Sequence, residues 1–385
     1  MNGSSVTSEE YLLSLLQISL PRIEEVTLLV FRLPLKSPFE TSFGSIDDRE
    51  ILICELKGGG LRAYGECVAD AEPLYSYETT STCKEILEKY LIPDLSSVGT
   101  IEGYLKRGMR IRGHHMAKAT LEAALWDFLA QSKRMPLHRL WGGTKQRIPC
   151  GVSVGLQKDN TVLLETIRGY LSEGYRRIKI KIKPGRDRGL LETIRKDFPE
   201  IPLMADANAA YTLSDAPLLR SLDEYRLMMV EQPLHFEDLY EHSLLQAQMQ
   251  TDLCLDESVV SLRAARAAIE MQSCRIINIK TGRVGGHTES IRIHNLAMQR
   301  ELPVWCGGML ESGIGRAHNL ALASLANFTL PGDTSASNRY WHRDIAEVRM
   351  DPDGCITLPD KPGTGYEVDQ DYLNSLVFTR SVLHL

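Results

Sequence analysis

The sequence predicts an α/β chain: a (β/α)-barrel preceded by an N-terminal α+β capping domain. Three observations carry this. Short apolar runs recur after residue 147, helix-like sequence separates them, and the chain before them has a different rhythm. The runs cover 149–154, 176–182, 202–206, 227–231, 252–256, 275–280, 303–306 and 327–330. Each lies roughly 25 residues from the last, the repeat of a βα unit. Eight such strands suit a closed barrel, and an open doubly wound sheet is the alternative.

The elements follow in chain order. Residues 1–22 read as a leader, either a short extra helix or a mobile segment. Its apolar stretch, Tyr11-Leu12-Leu13-Ser14-Leu15-Leu16, has no Lys or Arg before it, so it lacks the basic region of a secretory signal. Residues 23–143 form the capping domain. Val26–Leu33 and Ile51–Leu56 are strand-like, and Gly58-Gly59-Gly60 supplies a turn after the second. Ala117, Leu121, Ala124, Leu125 and Phe128 then recur at helical spacing. The barrel occupies 144–345. Residues 346–385, with turns at Asp353-Gly354 and Pro362-Gly363, are expected to pack back on the capping domain.

Composition limits the function. The 385 residues are 43% hydrophobic and 24% charged, enough for a substantial core. A net charge of −6 argues against a nucleic-acid or anionic-membrane partner, and no apolar run is long enough to span a bilayer. The eight cysteines are scattered without metal-ligand spacing and read as reduced thiols of a cytoplasmic protein. A homo-oligomer acting on a small carboxylate substrate is expected.

Three apolar runs end in an acid: Asp206, Glu231 and Asp256. Any one of these could be a helix cap or loop residue. At the C-terminal ends of three successive barrel strands they would converge on the face where barrels place their active sites. Packed carboxylates repel one another in a low dielectric unless a cation lies among them, and an all-oxygen set suits Mg²⁺ (or Mn²⁺).

Two further runs supply amines. In Arg177-Ile178-Lys179-Ile180-Lys181-Ile182-Lys183 the alternation puts Lys179 and Lys181 on one face. An exposed edge strand would explain that pattern too, but inward lysines in a strand buried on both sides are costly and so point to function. Ile276-Ile277-Asn278-Ile279-Lys280 supplies the second amine. Lys181 is on the second strand and Lys280 on the sixth, opposite each other in an eight-stranded ring with the acids between. A metal-bound carboxylate flanked by two amines suits removal of an α-proton. The ion offsets the enediolate charge, one neutral lysine acts as base, and the other stabilises charge or returns a proton.

With these residues in view, the sequence resembles the enolase superfamily, in its muconate-lactonizing-enzyme subgroup. The likeness rests on the KxK at 179–181, Asp206-Ala207-Asn208, Glu231-Gln232-Pro233, Asp256-Glu257 and Asn278-Ile279-Lys280. Tyr64-Gly65-Glu66-Cys67, Gly282-Arg283-Val284-Gly285-Gly286 and Trp305-Cys306-Gly307-Gly308-Met309 extend it over almost the whole chain. Within the subgroup it is most similar to the family of o-succinylbenzoate synthases and N-succinylamino acid racemases. The resemblance implies a modified TIM barrel. It implies Asp206, Glu231 and Asp256 as metal ligands, Lys181 as base and Lys280 as opposing acid or cation. It further implies that Lys179 tunes Lys181, that Asn208 supports the metal, and that Ser153, Gly308 and Met309 line the substrate pocket under a loop bearing Phe43. A menaquinone-pathway dehydratase is the leading expectation and an N-succinylamino acid racemase the second. A dipeptide epimerase or a non-catalytic barrel fits less well. No His–Asp dyad occurs where mandelate-racemase-like members place one.

Overall fold

The computed structural model describes residues 9–385 apart from 42, 43, 156 and 158, so the Phe43 loop lies outside the described residues. The N-terminal strands Glu25–Thr41, Gly44–Gly58 and Leu61–Cys67 form an antiparallel sheet, and the C-terminal strand Val377–His384 joins it beside the first. Gly59 and Gly60 turn the chain between the second and third strands at positive φ, 57° and 76°. Strand alternation splits the side chains between two cores. Leu28, Val30, Leu52 and Cys54 join the main core with the helix His115–Ser132, while Leu29, Phe31, Leu33 and Ile53 pack with Trp341 and Leu373. Strand and helix approach closely at Gly65, where a Cβ would lie 2.0 Å from Thr120 O.

The helix Glu9–Leu16 is docked, with Leu12, Leu15 and Leu16 buried in the main core. The Tyr11 hydroxyl donates to Leu140 O over 3.0 Å, and Arg292 Nε pairs with Glu9 at 2.9 Å. Of the two readings of the leader, the three buried leucines and these two contacts favour the helix.

The second half of the chain is a curled parallel sheet of seven strands in sequential order: Gly151–Val154, Arg177–Lys181, Leu203–Asp206, Val230–Glu231, Leu253–Leu255, Ile276–Ile279 and Val304–Cys306. The run 149–154 is split. Arg147–Pro149 pairs antiparallel with Cys355–Thr357, outside the barrel. The eighth stave differs from the expected strand at 327–330. It reaches the seventh strand through a bridge between Phe328 and Val304, and the first through a bridge between Gly332 and Cys150. Pro331 has no N–H to give a ladder, so closure rests on isolated bonds such as Gly151 N to Gly332 O, 2.7 Å, and Asp333 N to Cys306 O, 2.9 Å.

The period-two rule then places the chemistry. Met204, Met229, Cys254, Ile276 and Trp305 form a separate buried cluster. Asp206, Glu231, Asp256 and Asn278 each lie two residues beyond one of its members, on the same face of their strands. Register aligns them: Lys181 pairs with Asp206, and Asp206 with Glu231.

Candidate active site

Asp206, Glu231 and Asp256 are fully buried, and their oxygens are turned to nitrogen donors. Asp206 Oδ2 lies 2.7 Å from Lys181 Nζ and 3.5 Å from Lys179 Nζ. Glu231 accepts from Lys179 at 3.2 Å and from Asn278 Nδ2 at 2.7 Å. Asp256 holds Lys280 at 2.8 Å and also pairs with Arg283. Among the described residues no group of three histidines, cysteines or acids is arranged to hold a metal ion. The three carboxylates are paired with Lys179, Lys181, Lys280 and Arg283.

Burial works against ionisation of Asp206, but Lys181 and Lys179 outweigh it and hold its carboxyl well below the usual range. Burial and the neighbouring Asp206 push Glu231 up. Glu257 is pushed up by burial; its Oε1 accepts from Asn208 Nδ2 at 3.1 Å, while its Oε2 is buried with no partner among the described residues. Burial draws Lys280 down, yet Tyr75, Glu257 and Glu231 more than offset it and leave the amine raised.

The supporting loops are strained. Asn208, Gln232 and Leu310, all just past strand ends, have φ of 41°, 38° and 56°. Gln232 uses that conformation to tie two strand ends together. Its Oε1 accepts from Asp256 N at 3.1 Å, and its Nε2 donates to Ser258 Oγ at 2.6 Å. Asn208 N donates back to Asp206 Oδ1 at 3.1 Å, and Asn208 Oδ1 receives Lys181 Nζ.

A cavity of about 470 Å³ opens over these groups between barrel and cap. Lys179, Lys181, Asp206, Asn208, Lys280, Ser153, Gly308 and Met309 line it, together with cap residues including Arg49, Asp70 and Tyr75. Lys181 is the most accessible of the three lysines, its side chain 22% exposed.

Two residues at the site escaped sequence reasoning. Asp333, on the irregular eighth stave, binds Lys179 at 2.7 Å, Arg177 at 2.8 Å and Ser153 Oγ at 3.2 Å. Its signal was an acid three residues past the apolar run ending at Leu330. Tyr75, from the cap, receives Lys280 Nζ at 3.1 Å. No local pattern announces a contact across 205 positions.

Fold and site together describe a capped (β/α)-barrel enzyme whose acids and lysines share one mouth. Residues 162–372 match the family model "Enolase C-terminal domain-like", and residues 23–142 match "Mandelate racemase / muconate lactonizing enzyme, N-terminal domain". An o-succinylbenzoate synthase of Geobacillus stearothermophilus is 48% identical over 367 residues, 94% of this chain and 98% of that protein. An N-succinylamino acid racemase of Thermus thermophilus is 45% identical over 347 residues, 89% of this chain and 94% of the other. A solved enolase-superfamily member from Listeria innocua superposes with a TM-score of 0.91 at 39% identity, covering 94% of this chain and 99% of that one. The chain belongs to the enolase superfamily, in its mandelate racemase / muconate lactonizing enzyme family.

Proposed function

We propose that the chain is an o-succinylbenzoate synthase, a lyase of menaquinone synthesis that removes the proton α to a carboxylate and expels the β-hydroxyl as water. The observation that carries this reading is the placement of Lys181 and Lys280 on opposite staves, lining one cavity, with buried acids between them. Near-full-length relatives bearing that name support the particular reaction.

The chemistry of the donor set, all carboxylate oxygen, suits a divalent metal, although the acids here are paired with Lys179, Lys181, Lys280 and Arg283. Three buried carboxylates end adjacent strands, and Glu257 contributes a buried carboxylate oxygen with no hydrogen-bond partner among the described residues. Asp206, Glu231 and Asp256 would hold Mg²⁺ or Mn²⁺, with Asn208 in support. When bound, the ion supplies Lewis-acid charge for the substrate carboxylate. Lys181 takes the α-proton, and then, as the ammonium, returns a proton to the departing hydroxyl. Lys280, held charged on the other side by Tyr75 and its acidic neighbours, stabilises the developing enediolate. Lys179, buried between Asp333 and Glu231, is a fixed positive charge on the same strand face as Lys181. Ser153, Gly308 and Met309 shape the pocket.

The second reading is N-succinylamino acid racemase, in which Lys280 delivers a proton to the face opposite Lys181. Arg283 favours it. By sharing Asp256 with Lys280, it competes for the carboxylate that would otherwise hold that amine. Purified protein assayed with Mg²⁺ against both substrates decides between them. Turnover of neither would sink both readings. Eight free cysteines, seven of them buried, support a cytosolic enzyme, and among the described residues no helix is long and apolar enough to cross a membrane.

A further inference from the structure

Six basic side chains line the cavity: Arg32, Arg49, Lys179, Lys181, Lys280 and Arg316. The first five each have a carboxylate within ion-pair distance. Arg316 has none among the described residues, although the residue is only 1% exposed. It rises from the first turn of the helix Gly313–Ala323. Nη1 donates to Ser335 O at 2.5 Å and Nη2 to Glu311 O at 2.7 Å, while the Nε–H is buried with no partner among the described residues. The guanidinium carbon lies 5.4 Å from the Tyr340 ring centroid.

Two carbonyls and a ring orient a guanidinium but do not neutralise it. The nearby Asp344 feels the charge, yet its carboxylate is engaged by Gly313 N and Ser337 Oγ instead. A buried, oriented and unneutralised guanidinium with a free N–H is the chemistry of an anion subsite waiting for a planar carboxylate. Among the described residues, Arg316 is the cavity cation that has no carboxylate within ion-pair distance, and so it is open to a second substrate carboxylate.

We propose that Arg316 forms a carboxylate-binding subsite that reads the distal carboxylate of a succinyl group. The proposal rests on the succinyl-substrate reading above and adds the residue that enforces it. A merely structural arginine, pinning the carbonyls of Glu311 and Ser335, would affect all ligands alike.

Calorimetry with Mg²⁺ present separates the two roles, using o-succinylbenzoate and 2-butanoylbenzoate, which carries a methyl in place of the distal carboxylate. Wild type should bind o-succinylbenzoate about tenfold or more tighter, the scale of a charge-assisted hydrogen bond. Arg316→Gln should lose that preference, weakening o-succinylbenzoate about tenfold and 2-butanoylbenzoate less than about twofold, and Arg316→Lys should restore part of it. Equal weakening of both ligands, or of neither, overturns the subsite. Should Arg316→Gln fail to fold, a wild-type crystal soaked in o-succinylbenzoate decides: a distal carboxylate hydrogen-bonded to Arg316 supports the proposal, and one seated elsewhere overturns it. Wild type that binds both compounds equally defeats the subsite alone. Wild type that binds neither defeats the functional reading beneath it.

Discussion

Lys280, at the end of a barrel strand, donates to the hydroxyl of Tyr75 in the cap over 3.1 Å, with its ammonium 4.7 Å from the ring centroid. Cap and barrel therefore meet on one of the two amines. Tyr75→Phe keeps the ring and removes the acceptor, and kcat should fall about tenfold. Tyr75→Leu removes both and should cost more. Steady-state kinetics on the two variants checks the order.

Replacement of either amine tests the flanking arrangement. Lys181→Ala should reduce dehydration by at least about 10³-fold while the protein stays folded, since loss of a general base removes a rate factor of that order. Lys280→Ala should reduce it comparably. Thermal unfolding should show no collapse in either, and activity of Lys181→Ala within tenfold of wild type would remove it as the base.

Asp333→Asn should be costly to stability. Asp333 is shared by the buried Arg177 and Lys179, and stripping one side of a buried ion pair costs about 3–5 kcal/mol. Denaturant unfolding should show that loss. A change below about 1 kcal/mol would mean that Glu231 and Asp206 suffice for Lys179.

Asp127 gives a pH signature remote from the site. Burial raises its pKa from 3.8 to about 6, against the pull of hydrogen bonds from Thr364 N and Tyr64 N. Between those two values the native state binds more protons than the unfolded chain, so stability contributed here falls as pH rises. Wild type minus Asp127→Asn should therefore decline in unfolding free energy from about pH 4 to about pH 6 and level off above. A flat difference would contradict it.

Much of this was legible because barrel strands repeat and alternate. The lysine–isoleucine alternation from Arg177 to Lys183 declares a face, and acids two residues past Met204, Met229 and Cys254 declare the same inward direction. What stayed hidden depends on tertiary closure. Pro331 and Gly332 break the pattern on the stave that carries Asp333. Tyr75 reaches Lys280 only once the cap docks. Arg316 looks like any helical arginine until the folded chain leaves its Nε–H buried with no partner among the described residues.

Magnesium should also stabilise the fold. By mass action, a ligand that binds only the native state raises the melting temperature more the tighter it binds, so Mg²⁺ should raise Tm for wild type and much less for Glu231→Gln. Chelation should abolish activity, and added Mg²⁺ should restore it.

A crystal structure with Mg²⁺ and o-succinylbenzoate is the most direct measurement. It should show the ion about 2.1 Å from oxygens of Asp206, Glu231 and Asp256, with the amines of Lys181 and Lys280 on opposite faces of the bound acid. An ion bound elsewhere, or both lysines on one face, would contradict the mechanism.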